Sequence, residues 1–157
     1  MLFRRQSLAE LINSLQHQVF LASLKLEVCI RIVQNRDSYK KIYRNITLPS
    51  TLMGIPITPP TLVGIYLTSV LRSLSKAYRI LLKIESKLKN SYPEVYAVIA
   101  STINYVKLEL EKSINIAKQS RNVDEVVREL KNCLERANAA ISEIRGGIPS
   151  YLLSEMR

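Results

Sequence analysis

Residues 91–117, SYPEVYAVIASTINYVKLELEKSINIA, decide the fold. Val95, Ile99, Ile103, Val106, Leu110, Ile114 and Ala117 recur at spacings of 4, 4, 3, 4, 4 and 3, which lines one face of an α-helix. Ser91 and Glu94 read as a capping box at its start, Ser91 as N-cap and Glu94 reaching back. The helix should end near Gln119 or Ser120. Asn122-Val123-Asp124-Glu125 reads as the next box. Val126, Leu130, Cys133, Ala137, Ala140 and Ile144 then form a seam of 3.5-residue period, stopped by Gly146-Gly147. Two amphipathic helices with a short connection form an antiparallel hairpin. The tail, 146–157, docks or extends.

Upstream of this hairpin, Thr58 should N-cap a helix with Pro59 and Pro60 in its first turn, running to about Asn90. Leu71, Leu74, Ala77, Tyr78, Leu81 and Ile84 can form its core face. The first helix should begin at a box of Ser7 and Glu10 and run toward Asn45, with a break plausible at Asn35–Ser38, whose side chains compete for backbone hydrogen bonds. Residues 24–32 alternate with period two, as a strand would, but a lone strand has no partner in a helical chain. As a helix, residues 19–33 are apolar nearly all round, and a second subunit could cover one side. Residues 46–60 form a long apolar, proline-rich loop that either packs over the bundle or serves as an interface arm. The expected fold is all-α: one domain of about four helices spanning 1–157, with a long basic N-terminal helix and a Pro-rich crossover loop.

The 157 residues carry a net charge of +10, unevenly placed. Residues 1–90 hold 14 Lys/Arg against 4 Asp/Glu, whereas residues 91–157 hold 9 of each. A basic part (1–90) therefore precedes a neutral hairpin (91–145). An asymmetry this sharp points to one electropositive surface, with nucleic acid or an anionic membrane as partner. The longest uncharged run, Asn45 to Leu71, contains Pro49, Pro56, Pro59, Pro60, Gly54 and Gly64, and only 11 residues separate Pro60 from Arg72. That is short of the roughly 20 a spanning helix needs. The N-terminus lacks the uninterrupted apolar core of a signal peptide, since Glu10 and polar residues break it.

Two clusters carry the functional reading. Arg72, Lys76, Arg79, Lys83 and Lys87, spaced 4, 3, 4 and 4, put five cations on one face of the second helix, with Glu85 its only acid. They extend over roughly 22 Å at about 1.5 Å per residue, a scale on which several phosphates can be neutralised together. Solvated faces more often alternate signs to gain i,i+4 pairs. The second cluster, Arg36, Tyr39, Lys40, Lys41, Tyr43 and Arg44, interleaves cations with tyrosines that can hydrogen-bond phosphate or stack on bases, or instead half-bury in the core. Arg4 and Arg5 could form a short basic arm.

Catalytic motifs are not evident. The single histidine, His17, stands alone, and no Gly-rich phosphate loop, nucleophile elbow or metal cluster is present in the sequence. Glu109/Glu111 and Asp124/Glu125/Glu129 lie among Lys107, Lys112, Arg121 and Arg128, which reads as surface ion pairing. Cys29 and Cys133 sit among apolar neighbours, as buried free thiols do. No cofactor or metal is expected, and no enzymatic activity.

The long helix from Ser7 to Asn45 with Arg31, Arg36, Lys40, Lys41 and Arg44, the crossover from Leu48 to Pro60, and the cations from Arg72 to Lys87 together resemble the major capsid proteins of filamentous archaeal viruses. The likeness is architectural and rests on no specific motif. It implies a virion protein that encloses double-stranded DNA, assembles with like helical subunits into a filament, and in enveloped cases contacts lipid. Two alternatives come from other classes: a small helical RNA-binding subunit of an RNA-guided defence complex, or a cytoplasmic interaction or membrane-surface module using its basic face on anionic lipid.

Overall fold

A computed structural model describes residues 6–35, 59–119 and 122–154. The expected crossover loop 46–60, save its last two residues, the cap at Thr58 and the arm at Arg4 and Arg5 lie outside them, as does the whole cluster from Arg36 to Arg44. The described residues form α1 (Leu8–Gln34), α2 (Pro59–Ser91), α3 (Pro93–Lys118), α4 (Val123–Gly147) and the single-turn α5 (Ser150–Leu153). No strand occurs among them, so residues 24–32 are helical.

The helices run up, down, up and down, each packed on the next, with α4 closing back onto α1. Cross-helix contacts fix the directions. Lys87 of α2 reaches Gln6 before α1, while Cys29 near the end of α1 meets Val63 near the start of α2. Tyr78 bonds Glu111 and Glu85 bonds Lys107 between α2 and α3. Arg136 meets Glu109 between α3 and α4, and Arg145 meets Asn13 and Gln16 between α4 and α1. Every neighbouring pair is antiparallel, and for α2–α3 and α3–α4 the short connections require it.

The core follows the apolar spacing. Ile99, Ile103, Val106 and Leu110 of α3 are buried, with Val95, Ile114 and Ala117 at its margin. All six seam residues of α4, from Val126 to Ile144, are buried, joined by Val127, Leu134 and Ile141. In α2, Val70, Leu74, Ala77, Leu81, Ile84 and Leu88 are buried, while Leu71 and Tyr78 are only partly so. The tail docks: Ile148 and Leu152 are buried, and α5 lies against α1.

The helix ends match the sequence reading at Ser7 and at the break after Gln34 and correct it in three other places. The Ser7–Glu10 box forms in both directions: the Glu10 N–H donates to Ser7 Oγ (3.1 Å) and the Ser7 N–H to Glu10 Oε2 (3.3 Å). The box at Ser91 does not form. Ser91 still belongs to α2, and Tyr92, whose N–H donates to the Leu88 carbonyl, is the single residue between the helices. Tyr92 is the N-cap without a side-chain cap bond, Pro93 following it in the first turn, where no N–H is missed. At Asn122 the side chain accepts from the Asp124 N–H (2.9 Å), one residue earlier than a box requires. α1 stops at Gln34, where a break was plausible: the Asn35 backbone and side-chain N–H groups both donate to the Arg31 carbonyl at 3.0 Å. Gly146 and Gly147 lie inside α4, and the chain leaves the helix at Ile148 in extended conformation. Gly147 is needed for proximity: a Cβ there would stand 2.6 Å from Ile99 Cγ2 of α3.

Candidate nucleic-acid interface

The buried residues of α2 recur every three or four positions, and the cations at 72, 76, 79 and 83 fall on the opposite side of the helix. Arg72, Lys76, Arg79 and Lys83 are all exposed, and none forms an ion pair with a described acid. Glu85, the one acid of α2, lies on the core side. The residue is 8% exposed, and its carboxylate is neutralised by Lys107 of α3 (3.1 Å), with the Tyr96 hydroxyl donating at 3.3 Å. No described acid therefore compensates the positive charge of the ridge.

Lys87 differs from the other four. It is half-buried, and its ammonium donates to the Gln6 carbonyl at 2.9 Å, pinning the approach to α1 against the end of α2. Lys83, Ser86, Asn90, Ser91 and Gln6 surround it in a groove of about 610 Å³. These neutral donors extend the ridge, and the charge pattern alone did not single them out. Two further cations of the basic part are engaged elsewhere. Lys25 donates to Ser73 Oγ (3.0 Å) in the α1–α2 contact, and Lys89 lies 5.1 Å from the Tyr96 ring centroid, within cation–π range.

Arg31 is exposed but stands apart from the ridge. It follows Glu27 by one helical turn, and Glu27 faces Lys131 of α4 (3.8 Å), whereas α1 meets α2 through Lys25. Of the twelve residues expected to contact nucleic acid, the structure thus brings together Arg72, Lys76, Arg79, Lys83 and Lys87. It separates Arg31, and the six from Arg36 to Arg44 lie outside the described residues.

The carboxylates of α3 were read as surface groups, and this fails for Glu109. It is 3% exposed, 3.3 Å from Arg136 and 3.8 Å from Lys112, with Oε2 accepting no hydrogen bond from a described residue. Arg136 comes from α4, outside the cations near in sequence that the expectation of surface pairing rests on. Among the described residues no group of carboxylates, thiols and histidine could hold a metal ion. Both thiols are free and buried. Burial pushes the Cys29 thiol up to about 11, and burial followed by the Glu109 charge raises Cys133, so both are protonated at neutral pH. No described helix is long and apolar enough to cross a membrane. Comparison with protein-family models, curated proteins and solved structures gave no match.

Proposed function

We propose that this is a structural nucleic-acid-binding protein that neutralises backbone phosphates along the outer ridge of α2 and reads no base. The observation that carries this reading is the run of four exposed cations, Arg72, Lys76, Arg79 and Lys83, with no described acid paired to them. A rigid helix presents them at fixed spacing, so binding needs little ordering of the protein. Double-stranded DNA is the favoured partner, because a stiff duplex carries a dense, regular array of phosphates along its axis, several of which a straight row of cations can meet at once. Together with the resemblance to filamentous-virus capsid proteins, this supports the reading of the chain as a virion subunit that coats duplex DNA and assembles with like subunits.

Titration of two duplexes of unrelated sequence, followed by fluorescence anisotropy, tests it. Four phosphate contacts give a salt slope of about −3.6, hence a loss of affinity on the order of 10² between 50 and 200 mM salt. Both duplexes should bind alike, and Arg72→Gln, Lys76→Gln, Arg79→Gln and Lys83→Gln combined should remove binding while the helical circular dichroism persists. Salt-independent affinity, or clear preference for single-stranded RNA or anionic vesicles, overturns the duplex-DNA reading.

A further inference from the structure

Three of the eight large apolar side chains left exposed among the described residues lie on one ridge of α3: Val98 (76%), Tyr105 (42%) and Leu108 (55%). With Glu94, Ser101 and Lys112, all exposed, they are spaced 4, 3, 4, 3 and 4, one residue per helical turn in a line parallel to the axis. The line is self-complementary about Ile103. Reversed, it sets Glu94 against Lys112, Val98 against Leu108, and Ser101 against Tyr105.

We propose that this ridge of α3 pairs antiparallel with the same ridge of a second copy of the chain, about a two-fold axis at the level of Ile103. Each of the three pairings matches chemically: opposite charges at both ends, apolar on apolar inside them, and the small Ser101 opposite the large Tyr105. Parallel pairing would set Glu94 on Glu94 and Lys112 on Lys112, so the end charges select the antiparallel arrangement. Those charges are available. Glu94 has no ion pair among the described residues, and Lys112, whose side chain is 62% exposed, is only 3.8 Å from a Glu109 already held by Arg136. Beside the ridge, Ala139 and Ala140 of α4 open a groove of about 470 Å³ next to Tyr105, giving the second helix room to seat. The ridge spans about 27 Å, and a single helix pair of that length falls near the lower bound of roughly 1,000 Å² for specific interfaces. An interface of that size suits a weak, transient dimer. Its formation does not depend on α2 binding phosphate.

Sedimentation velocity of the full chain without nucleic acid, over a concentration series, tests the proposal. The wild type should show a monomer–dimer equilibrium. Val98→Glu with Leu108→Glu should sediment as monomer with unchanged helical circular dichroism. Lys112→Glu, which also takes one of two cations from the buried Glu109 and so is compared at unchanged helical circular dichroism, should weaken the dimer roughly three- to tenfold by setting Glu94 against a carboxylate twice. Adding Glu94→Lys should restore it, since the reversed pair again attracts. A wild type that stays monomeric at its solubility limit, a dimer that survives Val98→Glu/Leu108→Glu, or failure of the charge swap to restore association would overturn the proposal. So would a monomer whose ridge variants instead lose binding to phosphatidylglycerol vesicles, which would make lipid the occupant.

Discussion

Gly147 and Gly146 are adjacent, both exposed and both helical, yet their surroundings make opposite demands. A methyl at Gly147 would press to 2.6 Å on Ile99 Cγ2, a branch fixed by its own stiff χ1, while a methyl at Gly146 meets nothing within 4 Å. Gly147→Ala should destabilise the protein by about 1–3 kcal/mol through overpacking. Gly146→Ala should stabilise it by about 0.5–1 kcal/mol through reduced chain entropy. Urea unfolding of the two variants should therefore shift the midpoint in opposite directions. Cys29 gives a pH-dependent counterpart. Its thiol has an ordinary value of 9.0 and is raised to about 11 by burial, so the folded state holds a proton that the unfolded state releases first. That stabilisation is complete below pH 9 and is lost as pH rises through 11. Cys133, raised in the same direction, adds to it. Between pH 8 and 10.5 the wild type should lose about 1–2 kcal/mol more than Cys29→Ala, measured by chemical unfolding at each pH.

At the scale of the helices, the Ser7–Glu10 box is the one predicted start among the described residues that forms reciprocally, and it satisfies two N–H groups at the head of α1. Ser7→Ala should cost about 1 kcal/mol and lower the melting temperature by roughly 2–4 °C. Ser91→Ala should cost less than half of that, because Ser91 caps nothing. Calorimetry of the pair separates the two. The difference shows what the sequence could and could not disclose. Apolar spacing identified α2, α3 and α4 and much of their buried faces, because burial of a periodic stripe is a local property; α1 was signalled by its cap, and the single turn α5 was not foreseen. The ends were less legible. Ser91 carries the right chemistry, but α2 continues through it, and only the packed turn between α2 and α3 shows that Tyr92 takes the cap. Charge spacing likewise placed Arg72 to Lys83 on one face. It could not show that Lys87 bonds Gln6, that Glu85 and Glu109 find cations on neighbouring helices, or that Arg31 belongs to another side of the bundle. Those facts depend on partners distant in sequence.

In the whole molecule the two proposed surfaces occupy different helices and use different forces. The α2 ridge is cationic and acts through phosphate; the α3 ridge is apolar with opposite charges at its ends and acts through burial. A protein that coats a polymer needs both, because weak contacts to one lattice become strong when neighbours also touch. The surfaces should therefore be separable. On a duplex just long enough for one subunit, Val98→Glu/Leu108→Glu should bind with the wild-type affinity and the wild-type salt slope, since the ridge of α2 is intact. On a duplex several times longer, the wild type should bind more tightly per site and saturate over a narrow concentration range, and the variant should lose that steepness. Replacing Lys76 alone by Gln should do the reverse: it should lower the salt slope by about 1 on both duplexes and leave the steepness on the long one unchanged. Anisotropy titrations on the two lengths at three salt concentrations read all of these quantities. If the α3 variant lost affinity on the short duplex, or if the Lys76 variant lost steepness without a change of salt slope, the division of labour between α2 and α3 would be wrong.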